Sequence, residues 1–213
     1  MRYFDLDDNI LSEIIGDIQV SCEKFPLPDE ISYYRLEKER IIYLESNVDE
    51  DVMQMERLIL RWNMEDVGIP AEQRKPIRLL IHSYGGDLDY MWGLIDAIET
   101  SATPVYTVNV GRACSAASLI FMAGKKRLMM PRSSVLIHEG SASMSGDATK
   151  VLDATDSYRK ELKKMKEYIE ARTSIPAKLL NKKRNNDWEI DAAFCLENGV
   201  CDVIVRSIEE VFM

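Results

Sequence analysis

The chain alternates between short apolar runs and longer stretches with apolar residues at helical spacing. "RIIYL" (40–44), "PIRLLIH" (76–82), "PVYTVNV" (104–110) and "SVLIH" (134–138) read as strands, the second of them buried. Between them, "NVDEDVMQMERLILRWNM" (47–64) has helical periodicity, with acids placed in its first turn. A second helix is expected from about Asp87 to Thr100, and a helix of small residues from near Ser115. Strands alternating with helices predict parallel pairing through right-handed crossovers, an α/β domain.

A longer helix is expected from Asp147 to about Arg172, with Val151, Leu152, Tyr158, Leu162, Met165 and Ile169 along one side. It would extend roughly 40 Å at about 1.5 Å per residue. Two readings are open: it projects toward a partner subunit, or it lies across the sheet. Residues 1–30 form a short amphipathic segment (Ile10, Leu11, Ile14, Ile15, Ile18) ended by "FPLP", so a boundary is expected there. The main domain then covers 31–213.

Composition narrows the function. The 213 residues are 46% hydrophobic, enough for one large core. A net charge of −9 disfavours binding to a phosphate backbone. No apolar run reaches membrane-spanning length, and the acidic start lacks a signal peptide's basic region. The four cysteines, Cys22, Cys114, Cys195 and Cys201, form no CxxC pair, and there are two histidines. Neither a metal site nor a disulfide framework is expected, and a reducing cytoplasm is the simplest home.

Three stretches carry candidate chemistry. In "VGRACSAASLIF" (110–121) a strand is expected to end at Val110, Gly111 permits a turn, and Ser115 enters a helix where free N–H groups gather. Such a serine is a nucleophile only with a base in reach, and is otherwise a packing residue. Cys114, its neighbour, is a rival. His138 closes an apolar strand, where α/β folds expose catalytic groups, and His82 ends another. "NNDWEIDAAFCLENG" (185–199) offers carboxylates: Asp191 reads as the N-cap of a short helix ending at Gly199, and Asp187 lies in the loop before it. The hydrolase pattern G-x-S-x-G is absent. "IHSYGGDLDYMWG" puts two glycines where a strand becomes a helix, which is either a tight turn or a place where a group lies on bare backbone.

Taken in order, "IHSYGGDL", "VGRACSAASLIFMAG", "SVLIHEG", "SGDAT" and "NDWEIDAAFCLENGVCDVI" resemble the motifs of the proteolytic subunit family of the Clp protease, ClpP, over residues 31 to 206. The resemblance implies a ClpP/crotonase-like spiral of βαβ units with a projecting handle helix. It implies a Ser115–His138–Asp187 triad, and an oxyanion hole made by the backbone N–H groups of Gly86 and Ala116. It also implies a serine endopeptidase without cofactor, cutting unfolded polypeptides inside two heptameric rings fed by an AAA+ Clp ATPase. This chain has Tyr84 where the family has proline and "SAAS" where it has "SMGA". Ser141, Ala142 and Ser143 stand where the family's substrate-pairing strand has a proline and two glycines. Two other readings are weighed beside the peptidase: an acyl-thioester enzyme of crotonase type, and an inactive structural subunit.

Overall fold

The computed structural model describes residues 28–183 and 186–212. The amphipathic segment with Ile10, Leu11, Ile14, Ile15 and Ile18, most of "FPLP", and Cys22 lie outside the described residues. The chain divides into two compact units, 1–35 and 36–213. The described backbone begins with a helix, α1 (Pro28–Lys38).

The second unit holds the sheet. Its elements follow as β1 (Ile41–Leu44), α2 (Val52–Glu65), β2 (Ile77–Ser83), α3 (Leu88–Thr100), β3 (Val105–Cys114), α4 (Ala116–Ala123), β4 (Lys126–Met129), β5 (Ser134–Ile137), α5 (Ala148–Arg172), α6 (Ala177–Lys183), β6 (Trp188–Asp191), α7 (Ala192–Glu197) and β7 (Val203–Ile204). The strands order β1-β2-β3-β4-β7, all parallel, and β5 joins β3 while β6 joins β5 antiparallel. This is the α/β class that the alternation predicts.

β3 has two sets of partners on one side. Residues 106–109 pair with β4 at 126–129, and residues 112–114 pair with β5 at 134–136. On its other side, Ile81 pairs with Asn109 but Ser83 with Ala113, so four steps of β3 match two of β2. The irregularity bends β3 away from β4 and toward β5. A place where neighbouring strands part is where α/β folds open a crevice.

Apolar side chains fill both faces of the sheet. One face packs Val52, Met55, Ile59 and Trp62 of α2 against Met91, Leu94, Ile95 and Ile98 of α3 and the entirely buried α4. The other is a smaller cluster around Ile41, Leu80, Val108, Leu128, Val205 and Val211. The buried guanidinium of Arg78 donates to the carbonyls of Val211 and Phe212 and so ties the chain's last turn to β2.

The cap signals locate the helix ends. Asp87, Asp147 and Asp191 each accept backbone N–H bonds at the start of α3, α5 and α7. Gly199, at φ 63, follows α7, a conformation that glycine adopts without a Cβ clash. The acids expected in the first turn of α2 instead precede it, and Asp51 N donates to Asp49 Oδ1. A local turn competes there with the helix. Of the 25 residues of α5, only Met165 and Ile169 are buried, both in its C-terminal half, and Leu152 is 66% exposed. No helix among the described residues is long and apolar enough to cross a membrane.

An enclosed ion pair joins the end of α2 to the start of β1. Both terminal nitrogens of Arg40 donate to Asp66, at 2.6 and 2.8 Å, and Thr103 Oγ1 donates to the same carboxylate at 2.7 Å. The Arg40 bond, above the other causes, holds the Asp66 carboxyl below its usual range. Arg40→Met leaves that carboxylate buried without its cation and is expected to destabilise by about 3 kcal/mol in urea unfolding at pH 7. A carboxyl with a depressed folded pKa stabilises above its unfolded pKa and loses that contribution as pH falls. The gap between wild type and variant therefore narrows below about pH 4.

Candidate active site

β3 runs past the expected stop at Val110 to Cys114, and the turn falls on Ser115 itself. Ser115 has φ 55 and ψ −126, a conformation that costs a residue with a side chain of order 1–3 kcal/mol. Its N–H donates to Leu136 O at 2.9 Å, which fastens the turn to β5. Gly111 therefore lies inside a strand, and its bareness has another cause: a Cβ there would sit 2.3 Å from Nδ1 of His82. The His82 side chain is exposed over this bare backbone, and its ring makes no hydrogen bond among the described residues.

β5 carries the other histidine to its C-terminal end. β5 and β6 run antiparallel with Ile137 opposite Trp188, so the next step places His138 against Asp187. His138 Nδ1 lies 3.0 Å from Asp187 Oδ1. A carboxylate accepts, so this contact puts the imidazole proton on Nδ1 and leaves Nε2 as an acceptor. The side chains are 28% and 76% exposed, so the pair is open to solvent. No hydrogen bond among the described residues joins Ser115 Oγ to His138. The backbone bond to Leu136 brings Ser115 to the strand that His138 ends. Catalytic hydrogen bonds are often loose before a substrate is bound.

The glycine loop is clamped by β1's continuation. Val48 N donates to Gly85 O at 2.9 Å and Asp87 N donates to Val48 O at 2.8 Å, a parallel bridge centred on Gly86. A Cβ on Gly86 would meet Val48 O at 2.3 Å. Gly85, at φ 94, lies against the serine: a Cβ on it would be 2.5 Å from Cys114 O and 2.7 Å from Ser115 Cβ. Bare backbone is thus needed on both sides of the loop, and the N–H of Gly86 is left over. Neither that N–H nor that of Ala116 has an acceptor among the described residues. Gly86 is exposed and Ala116 is buried.

Beside His138 is a pocket walled by Ile137, Leu162, Met165, Ile169 and Leu180, with Glu139 and Lys166 completing its lining. It joins the end of β5 to α5 and α6. Ser141, Ala142 and Ser143 are exposed and lie in a stretch without regular structure. That loop is tied to α5 by Tyr158, whose hydroxyl donates to Glu139 O at 2.7 Å.

Cys114, the rival nucleophile, is 4% exposed, and burial pushes its thiol up, against the nearby Arg112. A buried thiol held protonated is a poor nucleophile. Three residues that shape the site were not named by the sequence reading: Gly85, which seats the serine, Val48, which seats the glycine loop, and Ser118, whose Oγ donates to Ser115 O at 2.6 Å. The double glycine was a signal for Gly85; nothing local marks Val48 or Ser118.

The model of the Clp protease family matches residues 29–208, and the chain belongs to that family. Relatives bear the same stamp. The chain is 32% identical over 134 residues to a protein of Treponema pallidum named ATP-dependent Clp protease proteolytic subunit 2, covering 62% of this chain and 67% of that one. It is 33% identical over 143 residues to the protein of that name in Treponema denticola, covering 64% and 70%. A Porphyromonas gingivalis protein named ATP-dependent Clp protease proteolytic subunit is 28% identical over 179 residues, covering 82% and 77%.

The packing around the glycines sets an order of sensitivity. Gly68, also at positive φ (89), has open space where a Cβ would go, whereas Gly85 has both the φ and the collision. Gly68→Ala is expected to cost about 1 kcal/mol from backbone strain alone. Gly85→Ala is expected to cost about 3 kcal/mol or to displace Ser115. Urea midpoints of the two variants measure the difference.

Proposed function

We propose that this chain is a serine endopeptidase that hydrolyses peptide bonds of unfolded polypeptides, with Ser115 as nucleophile, His138 as base and Asp187 as the group orienting the histidine. One observation carries the reading: His138 Nδ1 lies 3.0 Å from Asp187 Oδ1, on the strand to which the Ser115 backbone is bonded. Two amide hydrogens without an acceptor among the described residues, those of Gly86 and Ala116, belong to the loop seated on Ser115 and to the residue that follows it.

The steps follow from these groups. Ser115 Oγ attacks the peptide carbonyl carbon, and its proton passes to His138 Nε2. The oxygen of the tetrahedral intermediate takes the negative charge and accepts from Gly86 and Ala116. A donor of this kind is worth about 100- to 1000-fold in rate. Asp187 fixes the imidazole tautomer and steadies its cationic form. His138 then gives the proton to the leaving amine, and the C–N bond breaks. Water, deprotonated by the same histidine, releases the acyl group from Ser115. The loop at Ser141, Ala142 and Ser143 is the edge along which the substrate backbone would lie.

Assembly belongs to the same proposal. α5 leaves its N-terminal half without a buried residue, a surface suited to a second copy of the chain. The named relatives are subunits of ATP-dependent proteases. As part of the same proposal, on the resemblance of its motifs to that family, this chain forms a homo-oligomer of two heptameric rings, receives unfolded polypeptide from a Clp ATPase, and works in the cytoplasm.

A fluorophosphonate probe tests the chemistry. Wild type is expected to be labelled on Ser115. Ser115→Ala abolishes the label and His138→Ala slows it about 100-fold or more, while Cys114→Ala leaves it in place. Labelling that survives Ser115→Ala would refute the assignment. Native mass spectrometry tests the assembly, with fourteen copies as the expected count.

A further inference from the structure

Ser118 is fully buried in the first turn of α4, and the carbonyl of Ser115 receives two bonds from it. Its N–H donates at 2.9 Å and its hydroxyl at 2.6 Å. Backbone bonding of this kind is ordinary at a helix start. A hydroxyl bond back to a carbonyl three or four residues earlier also recurs, at Ser133 on Met130 and at Thr100, Thr155 and Thr173; what sets Ser118 apart is the carbonyl it bonds, that of Ser115, a residue at positive φ. Where the family's motif reads SMGA this chain reads SAAS, and Ser118 is the residue that brings the hydroxyl.

We infer that Ser118 is a positioning residue for the oxyanion hole. The inference rests on the reading of Ser115 as nucleophile. The carbonyl that Ser118 grips belongs to the peptide unit between Ser115 and Ala116. That unit is planar and trans, so its C=O and its N–H point in opposite directions. Holding the oxygen toward the interior of α4 aims the Ala116 N–H out of the helix start. Ser115 sits at φ 55 and ψ −126, so the peptide is held against a conformational preference and would otherwise relax. Ser118 touches neither substrate nor nucleophile oxygen, and it acts through the orientation of that plane. The Gly86 donor is fixed separately, by the Val48 bridge.

The consequence is specific to steps that build negative charge on the substrate oxygen. Attack of Ser115 on a fluorophosphonate is such a step: the O–P bond forms, fluoride leaves, the serine proton passes to His138, and the phosphoryl oxygen takes the place of the oxyanion. Labelling followed over probe concentration separates the maximal rate from the half-saturating concentration. Threonine and valine have the same shape and differ in the hydroxyl, so Ser118→Thr and Ser118→Val are compared with each other and with Ser118→Ala. The maximal labelling rate is expected to fall about tenfold in Ser118→Ala, the size of one hydrogen bond expressed as a rate, with the half-saturating concentration unchanged. Ser118→Thr is expected to label about tenfold faster than Ser118→Val. Equal rates in the threonine and valine variants would overturn the inference, even where Ser118→Ala fails to fold. A wild type that is not labelled on Ser115 at all would instead overturn the peptidase reading on which it rests.

Discussion

Everything at the candidate site depends on the parting of β3 from β4. Up to Asn109 the strand pairs with β4, and from Arg112 onward it pairs with β5. That change of partner carries the end of β3 to the strand that ends in His138. It also leaves Ser115 on a turn at positive φ with its amide hydrogen spent on Leu136. Were β3 to continue along β4, serine and histidine would belong to strands that do not touch. The irregularity opposite Ile81 and Ser83 is the local cost of the bend.

The second constraint is space. The serine turn is seated against Gly85, and the glycine loop is seated against Val48, with backbone atoms nearer than any Cβ tolerates. Three chain segments far apart in sequence therefore meet main chain to main chain. Such contacts leave amide hydrogens with fixed directions and few ways to relax, the preorganisation that stabilisation of a developing oxyanion requires. The double glycine is both a tight turn and a bare surface: one glycine accommodates the serine, the other accommodates Val48, and an N–H without an acceptor among the described residues results.

Much of the fold was legible because its parallel strands are continuous apolar runs and its helices begin at aspartates. Ile77–Ser83 and the first part of β3, up to Val110, announce themselves as apolar runs, and Asp87, Asp147 and Asp191 by capping; the continuation of β3 through Gly111 to Cys114 does not. What stayed hidden was short or set by tertiary partners. β4 opens with two charged residues, and β6 buries only Ile190, so neither has a pattern of its own. β6 nevertheless decides that Asp187 faces His138, since its register against β5 does so. The choice of His138 over His82 and of Asp187 over other acids came from likeness to a family. Periodicity and spacing left those choices open, because the pairing of residues 49 positions apart is a property of the folded sheet. Ser118 was invisible for a like reason, since a serine among alanines reads as packing until its hydroxyl is seen on a carbonyl.

The central claim is that one hydroxyl, one imidazole–carboxylate pair and two amide hydrogens converge on a single reacting carbon. A crystal structure of the protein after reaction with a fluorophosphonate tests it most directly. The account predicts a phosphorus bonded to Ser115 Oγ, a phosphoryl oxygen about 2.7–3.1 Å from the nitrogens of both Gly86 and Ala116, and His138 turned toward the ester oxygen with its contact to Asp187 intact. Phosphorus on any other residue, or a phosphoryl oxygen facing away from those two nitrogens, would contradict it.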